Sequence, residues 1–160
     1  MNRNLFKNAN LKEIGQLRRY MSIIYDNADF YSKHFVNKTI IYTTKNKKIE
    51  LTARRDNFMH LCGVTYIDGP RKFFNDALDQ KIQIKKILIK KDGSTFQKLQ
   101  IMNQFQEMLG PHLRLTGRSN FTYLKFDHSI RTNKSILALA LLNNQNYMIP
   151  ISLLNLKFIH

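Results

Sequence analysis

The pattern of apolar residues changes after Gly110 and Pro111, and this change constrains the fold more than any other feature of the sequence. Before it, apolar side chains between residues 11 and 31 recur with the spacing of an amphipathic helix. The sequence predicts an α+β fold, with N-terminal helices and a β-hairpin, then further helices, packed on a C-terminal antiparallel sheet. The strand-like segments after the change are "HLRLTG" (112–117), "FTYLKFDH" (121–128), "SILALALL" (135–142) and "NYMIPISLL" (146–154).

The hairpin comes from two β-branched runs, "TIIYTT" (39–44) and "KIELTA" (48–53), which "KNKK" joins. Asp56 or Asn57 can then cap a short helix. Further along, "DGP" (68–70) predicts a turn that starts a second helix at its proline, because proline suits the first helical turn. The first half of the chain is therefore expected to alternate between helices and one hairpin.

The segment "KIQIKKILIKK" (81–91) is ambiguous, since it starts with strand alternation and continues at Ile87 and Leu88 with helical spacing. After it, Ser94 or Thr95 can cap a helix that runs to about residue 109. These signals predict a last helix before the C-terminal sheet.

Two features predict how the C-terminal strands are arranged. The run "ILALALL" (136–142) has apolar residues on both sides, which is typical of a central strand covered on both faces. Pro150 predicts a bulge or an edge in the final strand, because proline has no N–H to donate. No linker divides the chain, so we expect one domain over residues 1–160, with a helical and hairpin part to about residue 110 and a β-rich part from about 111.

The charge balance indicates a polyanionic partner. The 160 residues include 26 Lys and Arg against 11 Asp and Glu, a formal net charge of +15. Such a surface attracts RNA, DNA or acidic lipid headgroups, although a compositionally biased, lysine-rich genome is an alternative explanation. Cys62 is the only cysteine, which excludes an internal disulfide and suits a reducing, cytoplasmic location. With no signal peptide and no apolar run near the ~20 residues of a membrane span, no membrane association is expected, and secretion without a signal is the alternative location.

The stretch "NFMHLCGV" (57–64) supplies the first candidate for chemistry. On a helix, Phe58, Leu61 and Cys62 share one face, and His60 lies about 160–200° away from Phe58 and Cys62. His60 is therefore either an exposed histidine without a role or, with an ordinary pKa of about 6.5, a proton-transfer group that faces a phosphate. The same geometry assigns Cys62 to packing.

The segment "FDHSIRTNKS" (126–135), predicted to connect two strands, concentrates groups that bind phosphate. His128, Arg131, Thr132 and Lys134 combine cations with a hydroxyl, and the arginine fork matches phosphate oxygens. The alternative interpretation is a polar turn exposed to solvent.

Further candidates share a place near the end of a predicted strand and a side chain able to bind phosphate. Each alone is equally typical of a solvated surface, and a lone serine is usually structural, but together they are able to line one groove. They are Arg54 and Arg55 after the hairpin, Arg114, Thr116 and Arg118 in "RLTGRSN", and Ser152 beyond Pro150.

Several familiar chemistries lack their motifs. The acidic residues are scattered, whereas a metal nuclease needs clustered carboxylates to hold Mg²⁺. The spacing of His60 and Cys62 is not that of zinc ligands, and no second Cys/His pair completes such a site. No phosphate-binding P-loop, dinucleotide fingerprint or Gly-x-Ser-x-Gly motif occurs. Phosphate chemistry in this chain is therefore expected to need neither a metal nor a cofactor.

The order of these pieces resembles the phage and mobile-element branch of the barnase–EndoU–colicin–RelE-like ribonuclease superfamily. The similarity covers most of residues 30 to 155, and its specific part is an aromatic-x-His-Leu-x-Gly motif. In this sequence that motif is formed by Phe58, His60, Leu61 and Gly63.

The resemblance implies an antiparallel sheet on N-terminal helices, an RNA-binding cleft and metal-independent cleavage by attack of the RNA 2′-OH on the adjacent phosphate. One group would act as base, another as acid, and cations would stabilise the phosphorane. Carried over, His60 is the base or the acid, and Ser152 matches a C-terminal serine position. Arg131, Thr132 and Lys134 are the candidates for phosphate contacts that the residues themselves suggest.

Three functions remain open at this point. The first is an endoribonuclease toxin of phage–host or mobile-element conflict, with an acidic antitoxin or immunity protein as partner. The second is a basic nucleic-acid-binding module without catalysis, whose binding would depend strongly on salt. The third is a structural or interaction protein of a mobile element that docks an acidic partner.

Overall fold

The predicted α+β class is confirmed in a computed structural model that describes residues 3–43, 48–110, 113–116, 119–121, 124–126, 128–132, 137–144 and 147–155. The helices within these ranges are α1 (Leu11–His34), α2 (Phe58–Cys62), α3 (Pro70–Leu78) and α4 (Ser94–Ile101). The strands are β1 (Phe6–Asn8), β2 (Thr39–Thr43), β3 (Lys48–Thr52), β4 (Val64–Tyr66), β5 (Ile87–Lys90), β6 (Leu113–Thr116), β7 (Ser119–Phe121), β8 (Leu124–Phe126), β9 (His128–Thr132), β10 (Leu137–Asn144) and β11 (Tyr147–Asn155). None of the helices in these ranges has the length and apolar character needed to cross a bilayer.

The strands form one large sheet and two small ones. The large sheet has the order β2-β3-β11-β10-β9-β6, and β1-β5-β4 and β7-β8 form the others. Within the large sheet β3 and β11 pair in parallel, while the remaining neighbours are antiparallel. The predicted hairpin is present, but it completes one side of the C-terminal sheet instead of belonging to a separate helical part.

Helix α1 follows directly from its local sequence. Asn10 caps it reciprocally with Glu13: the Asn10 side chain accepts from the Glu13 N–H at 2.9 Å, and the Glu13 carboxylate accepts from the Asn10 N–H at 3.0 Å. The apolar stripe buries Leu17, Ile24 and Tyr31 completely. The predicted helix over residues 11–31 is therefore confirmed, and it continues to His34.

The segment after α3 differs from both parts of its prediction. Its strand-like start is not a strand, because residues 81–83 have no regular structure and Ile84–Lys86 form a 3₁₀ helix. Ile87 and Leu88, whose spacing suits a helix, lie in β5, where Ile87 is buried. This strand pairs with β1 on one side and with β4 on the other, and such long-range pairing overrides local spacing. The helix that follows is α4, which continues as a 3₁₀ helix over Met102–Leu109. Gly93 occupies its N-cap position, so neither Ser94 nor Thr95 caps it.

Two C-terminal predictions are also wrong in detail. The segment 121–128 is not one strand, because β7 ends at Phe121 and β8 covers Leu124–Phe126, and these two pair with each other. The segment 126–135 is not only a connection, because His128–Thr132 forms β9, which is bonded to β10 and β6. Backbone pairing on both sides outweighs the polar composition that suggested a turn.

The final strand contains the bulge that Pro150 predicts. Ala140 pairs with Ser152 and Leu141 pairs with Pro150, which leaves Ile151 as an extra residue. Because β11 lies between β3 and β10, the alternative prediction of an edge strand is wrong. Strand β10 lies between β11 and β9, as predicted for a central strand.

An aromatic cluster around Tyr31 supports helix α2. The Tyr31 ring lies 5.4 Å from that of Phe58, 5.7 Å from Phe74 and 5.6 Å from Phe35, measured between ring centroids. The Tyr31 hydroxyl also donates to the carbonyl of Arg54 at 2.7 Å, just before α2. Helix α1 thereby fixes both the start and the buried face of α2.

Candidate active site

Helix α2 presents His60 on the side opposite its packed face. Phe58, Met59, Leu61 and Cys62 are at most 1% exposed, whereas His60 is exposed. The predicted separation of His60 from the apolar face is confirmed. Cys62 is a packing residue, with its Sγ 3.9 Å from the Sδ of Met102, and burial raises the pKa of its thiol.

Gly63 ends α2 and makes room for a lysine. Its φ of +71° is in the left-handed region, which glycine adopts without strain. A Cβ at this position would overlap Cδ of Lys98, so the Lys98 stem crosses directly over the glycine. The glycine of the His-Leu-x-Gly motif is therefore required for the turn and also for the path of Lys98.

Thr95 joins this turn to the neighbouring strand. Its hydroxyl donates to the Gly63 carbonyl at 2.5 Å and accepts from the Lys90 N–H at 2.9 Å. The residue is fully buried, so both hydrogen bonds are shielded from water. Thr95 thus holds the end of α2, the start of α4 and the end of β5 together.

Lys98 is buried without a carboxylate partner among the described residues. Only 6% of the residue is exposed, and its Nζ lies 2.6 Å from the Ser152 Oγ and 2.6 Å from the Leu153 carbonyl oxygen. The pKa of Lys98 is lowered to about 7, first by burial and then by the charge of Lys90, while Asp92 opposes both effects. The amine therefore titrates near neutral pH.

A pocket of about 180 Å³ brings these elements together. Ile151 and Ser152 are adjacent in β11 and both line it, which the bulge at Ile151 allows and regular strand alternation would disfavour. The residues that line the pocket are Phe6, His60, Gly63, Val64, Lys90, Ile151 and Ser152.

The pocket walls change the protonation of His60. Desolvation lowers the pKa of its imidazole, the positive charge of Lys90 lowers it further, and Asp56 opposes these effects. The neutral imidazole therefore predominates at neutral pH. In that form the ring is able to accept a proton from a substrate in the pocket.

The structure brings two of the sequence-predicted residues together and leaves two others elsewhere. His60 and Ser152 line the same pocket. Arg54 and Arg55 are exposed and do not line it: Arg54 donates to the Tyr147 hydroxyl at 3.2 Å, and Arg55 donates to an Asn75 side-chain oxygen at 3.4 Å.

The remaining candidates lie on the far strands of the large sheet or outside the described residues. The backbone register places Thr116 in one row with Ser129, Ala140 and Ser152, so Thr116 lies about 14 Å from Ser152 across three strand spacings. The phosphate-contact roles of these residues stay predictions. Arg114 lies on β6, and His128, Arg131 and Thr132 lie on β9, while Arg118 and Lys134 fall outside the described residues.

Lys98 is the residue that the sequence prediction missed. The signal in the sequence is its spacing, three residues after Thr95 and four before Met102, which puts the three side chains on one helical face. In the structure all three are buried, so a lysine occupies a core-facing position of α4. A lysine between buried positions at intervals of three and four residues is unusual, because this side chain is almost never fully buried without a partner.

Replacement of Gly63 by alanine is expected to lower the free energy of unfolding by about 2–4 kcal/mol, through strain at positive φ and displacement of Lys98. Gly93→Ala is the matched control, because Gly93 has a φ of +81° but no atom within 4 Å of its added Cβ. The free energy of unfolding of the control should fall only by the cost of backbone strain at positive φ, about 1–2 kcal/mol. Urea unfolding monitored by circular dichroism measures both, and equal losses would show that Lys98 does not depend on Gly63.

The comparison with known families confirms the family resemblance predicted from the sequence. Residues 23–160 match the model of a family described as phage-Barnase-EndoU-ColicinE5/D-RelE like nuclease4. The chain has no significant match among curated proteins or solved structures. The matched range includes α2, α4 and β11, which together hold His60, Lys98 and Ser152.

Proposed function

The chain belongs to this family of phage nucleases, and from that premise we propose that it is a metal-independent endoribonuclease. In the proposed reaction the RNA 2′-oxygen attacks the adjacent phosphate and displaces the 5′-oxygen of the next nucleotide. His60 transfers a proton as acid or base. The products are a 2′,3′-cyclic phosphate and a free 5′-hydroxyl.

The observation that carries this proposal is the meeting of His60 and Ser152 on the wall of one pocket, beside the cation of Lys90. The three residues come from α2, β11 and β5. Cleavage by the 2′-oxygen needs a proton acceptor, a proton donor and positive charge near the phosphorane. An imidazole, a hydroxyl and an ammonium group at one pocket supply these kinds of group.

The proposed biological role is that of a toxin in phage–host or mobile-element conflict. The family is a phage nuclease family, and the net charge of +15 favours binding to RNA and to an acidic antitoxin or immunity protein. An acidic partner that competes with RNA for the positive charge of the protein would also keep the enzyme from its substrate.

We expect the purified protein to cleave RNA in the presence of EDTA and to leave a 2′,3′-cyclic phosphate, because the proposed nucleophile belongs to the substrate. A labelled RNA, the same RNA with a single 2′-deoxy nucleotide at the cleavage site, and the corresponding DNA are compared by gel electrophoresis and mass spectrometry. The deoxy substitution should abolish cleavage at that site only. Cleavage of DNA, or a strict need for a divalent cation, would contradict the proposal.

A further inference from the structure

Lys98 reaches the pocket only through Ser152. Ser152 lines the pocket and Lys98 does not, yet the Lys98 Nζ lies 2.6 Å from the Ser152 Oγ. The second contact of Nζ is the Leu153 carbonyl oxygen, also at 2.6 Å. The lysine is therefore placed behind the serine as seen from the pocket.

The environment of Lys98 is unusual for a structural residue. Burying an amine costs free energy unless it is paired, and no carboxylate among the described residues pairs with it. Its stem needs a glycine at position 63, since any Cβ there would overlap it. An apolar side chain at this position of α4 would fill the same space with a smaller free-energy penalty, which favours a functional role for the amine.

The hydrogen bonds define what the amine does to the serine. A charged Lys98 has donors only, so it donates to the Leu153 carbonyl and to the Ser152 Oγ. The Ser152 oxygen is then an acceptor from Lys98, and its own O–H is left to donate towards the pocket. A charged lysine therefore turns Ser152 into a proton donor for whatever the pocket holds.

We propose that Ser152, supplied with a proton by Lys98, is the general acid of the site and that His60 is the general base, an assignment that rests on the proposed ribonuclease function. The 2′-O–P bond forms as His60 takes the 2′-OH proton. The P–O5′ bond breaks as Ser152 gives its proton to the leaving 5′-oxygen, and the Lys98 ammonium returns a proton to Ser152. Ser152 is thus the catalytic residue, and Lys98 acts through it.

The protonation states agree with this direction of proton flow. The pKa of His60 lies below its usual range and that of Lys98 is about 7, so between the two values His60 is neutral and Lys98 is charged. Lys90 lowers both pKa values, while Asp56 opposes it at His60 and Asp92 opposes it at Lys98. The reverse assignment would require a protonated His60 and a neutral Lys98, which are the less populated forms in this pH range.

The rate of RNA cleavage should therefore follow a bell-shaped pH dependence, in which the acidic limb is set by His60 and the alkaline limb by Lys98.

The test compares ordinary RNA with an RNA whose 5′-bridging oxygen at the cleavage site is sulfur. A thiolate leaves without protonation, so loss of the general acid is harmless for this substrate, while loss of the base is not. Lys98→Met and Ser152→Ala should each cleave ordinary RNA about 10²-fold more slowly or worse, and should cleave the sulfur-containing RNA within about tenfold of the wild type. His60→Ala should be slow on both, and Lys91→Met, which changes an exposed lysine, should match the wild type on both.

The outcomes separate the two proposals. If the wild type cleaves RNA but folded Lys98→Met and Ser152→Ala are equally slow on both substrates, the acid role is wrong and the ribonuclease function stands. If His60→Ala is the variant rescued by sulfur, the acid and base are reversed and the inference is also wrong. If the wild type cleaves neither RNA, the ribonuclease function fails and the inference fails with it. Should Lys98→Met not fold, Ser152→Ala decides alone, since it removes only a hydroxyl.

Discussion

Replacement of His60 by alanine is expected to lower the single-turnover rate of RNA cleavage by about 10²–10⁴-fold, the range for loss of a general acid or base. The fold should be unaffected, because the side chain is exposed and its four neighbours in α2 carry the packing. The free energy of unfolding should change by no more than about 0.5 kcal/mol. Rates measured with enzyme in excess over labelled RNA, together with urea unfolding, check both parts.

His34→Ala is the matched control for this variant. His34 is also an exposed histidine in a helix, near the end of α1, where its ring lies 4.6 Å from that of Phe30. The control should cleave RNA as the wild type does. In cells, induced wild-type protein should arrest growth if it is a toxin, and His60→Ala should not. A wild-type rate in His60→Ala would refute the role of this residue.

Replacement of Phe58 by alanine is expected to lower the free energy of unfolding by about 3–5 kcal/mol, which is a large part of the stability of an ordinary domain. The Phe58 side chain is 1% exposed, and its ring centroid lies 5.4 Å from that of Tyr31 and 5.3 Å from that of Phe74. A smaller side chain leaves a cavity under α2 that these rings cannot fill.

Phe96→Ala is the comparison, because Phe96 is only half-buried and its ring lies 6.4 Å from that of Tyr20. The free energy of unfolding of Phe96→Ala should fall by a clearly smaller amount, about 1–2 kcal/mol, because Phe96 buries less apolar area. Both variants are measured by urea unfolding at one pH. Equal losses would show that the aromatic position of the His-Leu-x-Gly motif has no special place in the core.

The elements that local sequence determines were predictable, and the elements that depend on distant pairing were not. Helix α1 carries its own cap in Asn10 and its own apolar stripe, so its start was correct. Strand β5 has helical spacing at Ile87 and Leu88, and only its position between β1 and β4 makes it a strand. The bulge at Ile151 was predictable because Pro150 lacks the N–H that a regular ladder requires.

The candidate site divides in the same way. His60 was accessible to prediction because five consecutive residues of one helix define which side it faces. Ser152 was proposed from its place after Pro150, and the pocket that it shares with His60 depends on the pairing of β11 with its neighbours. Lys98 was missed because a lysine in a helix is normally solvated. Its burial requires Gly63 beneath its stem and Leu153 at its tip, and neither contact can be read from α4 alone.

The parallel pairing of β3 with β11 has a consequence for the order in which activity arises during translation. Leu51 and Met148, which face each other in that pair, are far apart along the chain, and long-range pairing of this kind slows folding. A nascent chain that has left the ribosome only as far as residue 145 already contains His60 and Lys98. It lacks the Ser152 hydroxyl and the Leu153 carbonyl, which accept the hydrogen bonds from Lys98. We therefore expect the proposed ribonuclease activity to arise only after β11 has entered the sheet, so that the messenger RNA being translated is spared until then.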